Sequence, residues 1–133
     1  MTVTVADIMA TDLVTFTPDQ EIQHAIQILL NNRISGAPVV DDAGKLVGIL
    51  SRKDCLRMAF STRYHDDRGG PVRDYMVREV ETMEDDLDIT SAIQRFLDAP
   101  IRRFPVMRNG ELVGLVCRHD VLLALSDTRK IES

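Results

Sequence analysis

The sequence predicts an α+β fold made of two β-α-β-β-α repeats packed as a pseudo-two-fold pair. Three observations carry the prediction: one half of the chain repeats the other, apolar residues in each half recur at helical spacing, and each half holds two short apolar runs separated by a turn. Val5 to Asp42 aligns with Val72 to Asn109 at a constant offset of 67. Asp7, Met9, Thr15, Asp19, Ile22, Ala25, Ile26, Gln27, Leu30, Ile34, Pro38 and Val39 recur as Asp74, Met76, Thr82, Asp86, Ile89, Ala92, Ile93, Gln94, Leu97, Ile101, Pro105 and Val106. One residue is lost where "DDAG" becomes "RNG", which moves the offset to 66. Gly44, Leu46, Val47, Gly48, Arg52, Asp54 and Leu56 then match Gly110, Leu112, Val113, Gly114, Arg118, Asp120 and Leu122.

Each repeat opens with a short strand, Leu13 to Phe16 or Val80 to Met83. In the first repeat Thr17-Pro18-Asp19-Gln20 reads as a capping box with proline at the first helical position. Ile22, Ala25, Ile26, Leu29 and Leu30, matched by Ile89, Ala92, Ile93, Phe96 and Leu97, fall on one helical stripe and are expected to be buried. Two strands follow, Ala37 to Val40 and Leu46 to Leu50 in the first copy, with "DDAG" as the turn of an antiparallel hairpin. A second helix starts after Ser51 or Cys117. Ser61 to Pro71 ("STRYHDDRGGP") reads as a loop, from its polar residues, glycines and proline. The expected division is therefore 1–60 for repeat 1, 61–71 for a linker, 72–127 for repeat 2 and 128–133 for a tail. Each copy is too small to cover its own apolar strand faces, so the two are expected to pack together with clefts between them.

The chain has 133 residues, 44% of them hydrophobic and 28% charged, the composition of an ordinary globular domain with a real core. No apolar run approaches the roughly 20 residues that span a bilayer, and the N-terminus carries no signal segment, so a cytoplasmic location is expected. A formal net charge of −5, with both signs interspersed, argues against a general nucleic-acid binder. Cys55 and Cys117 stand among aliphatic residues outside any ligand spacing, and His24, His65 and His119 are scattered, so neither a disulfide nor a metal centre is expected. No nucleophile with a base at recognisable spacing and no glycine-rich phosphate loop points to an enzyme.

The strand-to-helix junction is where chemistry can sit. Ser51-Arg52-Lys53-Asp54 is a plausible helix cap, and an Asp in the first turn is also well placed to face a ligand beside free backbone N–H groups. The two readings are compatible. Cys117 replaces the serine in the second copy and is expected to break that cap, since a thiol is a weak hydrogen-bonding group.

The segments "VADIM…VTFTPDQEIQHAIQILLNNRISGAPVVDDAGKLVGILSRKD" and "VRDYM…VETMEDDLDITSAIQRFLDAPIRRFPVMRNGELVGLVCRHD" resemble a tandem pair of cystathionine β-synthase (CBS) domains, a Bateman module. The resemblance runs from Val5 to about Leu125. It implies clefts that take adenosine-containing ligands such as AMP, ADP, ATP or S-adenosylmethionine, and no obligatory cofactor. It also implies regulation of a partner protein and pairing into homodimers. In the family pattern the motif Asp accepts from ribose hydroxyls, and the Ser or Thr before it contacts phosphate or nearby ligand atoms. Family geometry groups Ser51 and Asp54 with Val80, Thr82, Ile101, Arg102, Arg103 and Phe104. It groups Cys117 and Asp120 with Val14, Thr15, Ile34, Ser35, Gly36, Ala37 and Pro38.

Arginine is suited to phosphate, so the Asp54 group is expected to take the more highly charged ligand. Adjacent strand residues face opposite ways, so one arginine reaches a given cleft, and Arg103 is the first choice. The expected protein is a stand-alone, non-enzymatic nucleotide sensor that acts on another polypeptide. The competing expectation is an assembly module that uses the same scaffold for dimerisation or partner binding, with vestigial clefts.

Overall fold

A computed structural model describes residues 2–65 and 69–127, which form a mixed α+β structure. It contains two compact units that do not follow the chain's halves: Val14–Val80 is one, and Met1–Leu13 with Glu81–Ser133 is the other.

In the Val14–Val80 unit, β1 (Gly36–Val40) pairs antiparallel with β2 (Leu46–Ser51), from Gly36 opposite Ser51 to Val40 opposite Leu46. Asp41 Oδ1 accepts from the N–H groups of Ala43 at 3.0 Å and Lys45 at 2.9 Å, and Gly44 takes a positive φ of 80°, so "DDAG" closes the hairpin. The expected strand at Leu13 to Phe16 contracts to Phe16 alone. Its N–H donates to the Pro38 carbonyl at 2.9 Å and its carbonyl accepts from the Val40 N–H at 2.8 Å.

The following helix, α2 (Ile22–Asn31), starts later than the capping box suggested. Thr17 and Gln20 do exchange bonds, with the Thr17 N–H donating to Gln20 Oε1 at 3.2 Å, but they close a separate turn. Gln20 and Ile22 are held instead by pairing with the stretch around Pro71. The Val72 N–H donates to the Gln20 carbonyl at 2.8 Å, and the Ile22 N–H to the Gly70 carbonyl at 2.9 Å. Strand-like pairing thus holds the backbone extended where the sequence alone offered a helical turn.

Ile22, Ala25 and Leu29 are buried as expected, but Leu30 is 56% exposed, and its counterpart Leu97 is 75% exposed. A short hairpin or a three-stranded sheet covers a narrow arc of helix, and a residue one step past the central stripe turns about 100° away. α3 (Arg52–His65) extends through the first residues of the stretch read as a loop, because Gly69 and Gly70 are the first strong helix breakers after Ser51. The middle of that stretch, 66–68, and the tail at 128–133 lie outside the described residues.

The other unit repeats this arrangement. β4 (Arg103–Arg108) pairs antiparallel with β5 (Glu111–Cys117) and parallel with β3 (Met83–Glu84), and α4 (Ile89–Asp98) and α5 (Arg118–Ser126) complete it. Its first helical turn, α1 (Val5–Ile8), comes from the start of the chain. The Ile89 N–H donates to the Val3 carbonyl and the Val5 N–H to the Leu87 carbonyl, the counterparts of the Ile22–Gly70 and Val72–Gln20 bonds. Each unit is thus completed by the lead segment of the opposite repeat.

Two methionines explain why each docking strand carries a glycine. Val77 exchanges hydrogen bonds of 2.9 and 3.0 Å with Ile49 on the free edge of β2, which lays Met76 across Gly48. A Cβ on Gly48 would lie 2.6 Å from Met76 Sδ and 2.9 Å from the Val77 carbonyl oxygen. Gly114 meets Met9 and the Ala10 carbonyl in the same way. Gly48→Ala is therefore expected to cost about 1 to 3 kcal/mol, an overpacking penalty measurable as a lower urea midpoint.

Candidate ligand-binding site

Each β-strand-to-helix junction holds a capped carboxylate, nearly buried at Asp54 and half-buried at Asp120. Ser51 ends β2, and both its N–H (2.9 Å) and its hydroxyl (2.8 Å) donate to Asp54 Oδ2. The Asp54 N–H donates back to Ser51 Oγ at 3.2 Å. Asp54 is 5% exposed, and its other oxygen faces the Arg57 guanidinium at 3.9 Å. A buried anion of this kind is tolerated because hydrogen bonds replace its water shell.

The junction is tied to the entry of β1. The Arg52 N–H donates to the Ser35 carbonyl, and Arg52 Nε to the Ile34 carbonyl, both at 2.9 Å. Arg52 therefore holds the backbone of two candidate residues.

The second junction corrects the reading of Cys117. Its N–H donates to Asp120 Oδ2 at 2.8 Å and its thiol to the same oxygen at 3.2 Å, so the capping box is kept. Most of the bond comes from a backbone N–H and a carboxylate, which do not depend on the side chain at 117. Burial pushes the Cys117 thiol above its ordinary value, and burial first and then Asp54 push Cys55 up to about 11. Both remain protonated thiols at neutral pH, as expected of structural cysteines. The Arg118 N–H donates to the Arg102 carbonyl at 3.3 Å, and Arg103 pairs with Cys117, so this junction lies beside the start of β4.

Within the Val14–Val80 unit the structure brings Ser51 and Asp54 together with Ile34, Ser35 and Gly36. Within the other it brings Cys117 and Asp120 together with Arg102 and Arg103. Thr15, Ser35 and Arg102 are exposed, whereas Val14, Val80, Thr82, Ile101 and Arg103 are half-buried. Gly36, Ala37, Pro38 and Phe104 are buried. Phe104, expected as a lining side chain, belongs to the core of its unit, edge-on to Phe96 with ring centroids 4.9 Å apart. It stands where the first repeat has Ala37. Arg95, which the sequence did not single out, donates to the Thr82 carbonyl at 3.1 Å. Among the described residues no group of three or more His, Cys, Asp or Glu is placed to hold a metal ion, and no helix is long and apolar enough to cross a membrane.

A family model for the CBS domain matches residues 5–61 and again 72–127. The chain belongs to the CBS-domain family. As a tandem CBS pair it is similar to the CBS domain-containing protein YhcV of Bacillus subtilis, 31% identical over 88% of this chain and 81% of that protein. It is also similar to inosine-5'-monophosphate dehydrogenase of Methanocaldococcus jannaschii, 27% identical over 87% of this chain. The chain spans 22% of that enzyme's length. Among solved structures, Arabidopsis thaliana CBSX2 in complex with AMP superposes with a TM-score of 0.85 at 27% identity, covering 96% of this chain and 98% of that one.

Proposed function

We propose that this CBS pair is a regulatory module that binds an adenosine-containing ligand (AMP, ADP, ATP or S-adenosylmethionine) and passes its occupancy to a separate partner without catalysing a reaction. The observation that carries the reading is the duplicated junction: Asp54 and Asp120 each lie in the first turn of a helix, and each is fixed by the residue three positions earlier. A fixed carboxylate there suits ribose hydroxyls, and the helix N-terminus beside it suits phosphate. The relative crystallised with AMP supports the same ligand class.

The ligand positions are those implied by the family: Val14, Thr15, Ile34 to Pro38, Ser51, Asp54, Val80, Thr82, Ile101 to Phe104, Cys117 and Asp120. The module acts in the cytoplasm as a homodimer, and ligand shifts its partner affinity only by as much as it prefers one state over another.

A second reading, an assembly module with vestigial sites, is favoured by a different observation. Leu30 and Leu97, and likewise Leu56 and Leu122, are exposed at matching positions of the two repeats. Exposed apolar surface of this sort serves association.

Thermal unfolding separates the two. A ligand at 100 times its dissociation constant adds about 2.7 kcal/mol, a rise of roughly 2 to 8 °C at this size. AMP, ADP, ATP and S-adenosylmethionine are the set to test, and no shift with any of them at millimolar concentration would leave only the assembly reading.

A further inference from the structure

The two repeats differ at three positions that meet in one unit. Arg95 reaches from α4 to the Thr82 carbonyl and lays its guanidinium over the Phe104 ring, 5.1 Å from the centroid. Its Nη2 also stands 3.9 Å from the Glu81 carboxylate. At the corresponding positions of the first repeat, Glu81, Arg95 and Phe104 are Val14, Ile28 and Ala37. Val14 and Ile28 pack against the core cluster that contains Ala37. An arginine held by a carbonyl, a ring and a carboxylate is thus replaced, all at once, by three apolar groups, while Thr15 and Thr82 stay identical.

The guanidinium suits this place. Its planar fork can donate in its own plane to the Thr82 carbonyl while its face covers the ring, which an ammonium cannot do. The ion pair is the minor part, since Arg95 is 38% and Glu81 58% exposed. An isoleucine at position 95 would remove the donor from the Thr82 carbonyl and the cation from the ring.

We propose that Arg95 is a positioning residue that fixes the Thr82 backbone against Phe104, and so makes the two adenosine-ligand positions of the chain unequal. The proposal rests on the nucleotide-binding reading above and adds the residue that tells the two positions apart. Arg95 acts through Thr82 and Phe104, not by touching the ligand.

The test is calorimetric titration of the full chain with AMP, comparing wild type, Arg95→Ile and Arg95→Lys. Arg95→Ile, which installs the residue of the first repeat, is expected to weaken one of the two AMP sites by about tenfold. The other site should keep its affinity within about twofold, and Arg95→Lys should recover part of the loss. A merely structural arginine would lower the melting temperature and leave both AMP affinities unchanged; that result overturns the proposal, as does equal weakening of both sites. A wild-type chain that binds no AMP at millimolar concentration overturns the nucleotide reading itself, and this inference with it. One readout needs no variant: in 15N-labelled wild type the Arg95 Nε–H resonance is expected to shift as AMP saturates the site. A resonance indifferent to saturating AMP contradicts the proposal.

Discussion

Asp54→Ala is expected to weaken AMP binding by about 10- to 150-fold. A hydrogen bond to a charged group contributes about 1.5 to 3 kcal/mol, and each 1.4 kcal/mol is about a factor of ten in affinity. The effect is large because this carboxylate is fixed before any ligand arrives. Ser51 contributes two donors to one oxygen, at 2.9 and 2.8 Å, so little ordering is left to be done on binding. The same substitution removes the carboxylate half of the capping box, while the Ser51 hydroxyl still caps the helix, so some stability is lost as well. Asp54→Asn separates the two effects, because its amide oxygen can still accept from the Ser51 N–H and hydroxyl while the charge is removed. A folded Asp54→Asn chain with reduced AMP affinity assigns the loss to the ligand. Unchanged affinity in Asp54→Ala, with binding abolished by Asp120→Ala, would mean that the Asp120 position is the main site.

Phe104→Ala is expected to destabilise the fold by about 3 to 5 kcal/mol, the largest stability effect foreseen for a single substitution here. Phe104 is fully buried, and Phe96 packs edge-on against it with an interplanar angle of 79°. The first repeat does carry alanine at this place, but there Ala37 belongs to a core with Leu29 in the position of Phe96. The alanine of one repeat therefore does not suit the other, and the ring's removal leaves a cavity that Phe96 and Arg95 cannot fill without moving. Urea unfolding of the variant should show the drop at an unchanged slope, and a loss below about 1 kcal/mol would mean that the unit collapses around the gap.

Much of this was legible in the sequence, for physical reasons. The duplication, the β1–β2 and β4–β5 hairpins and the Ile22–Ala25–Leu29 stripe follow from periodicity and turn chemistry, which act over a few residues. The Ser51–Asp54 cap was legible for the same reason. What was not legible depends on partners distant in the chain. Thr17 to Gln20 has the composition of a helix start, but hydrogen bonds from Gly70 and Val72 hold that stretch outside the helix. The same pairing gives each lead segment to the opposite repeat's unit, and only Gly48 and Gly114, beside Met76 and Met9, hinted at it.

The cap at Cys117 was not legible from its thiol, because the backbone N–H donates the shorter bond to Asp120. The burial of Phe104 in its unit's core was not legible, because neither the spacing nor the resemblance says whether a strand face meets solvent or core. Arg95 stands out only when taken together with Glu81 and Phe104 against Ile28, Val14 and Ala37, a concerted change.

The most direct test of the account is calorimetric titration of AMP into the wild-type chain and into an Asp54→Ala, Asp120→Ala double variant that circular dichroism shows to be folded. Saturable binding by the wild type and none by the double variant is the predicted result. Failure of the wild type to bind, or equal binding by both, would contradict the claim that these two capped carboxylates hold an adenosine ligand.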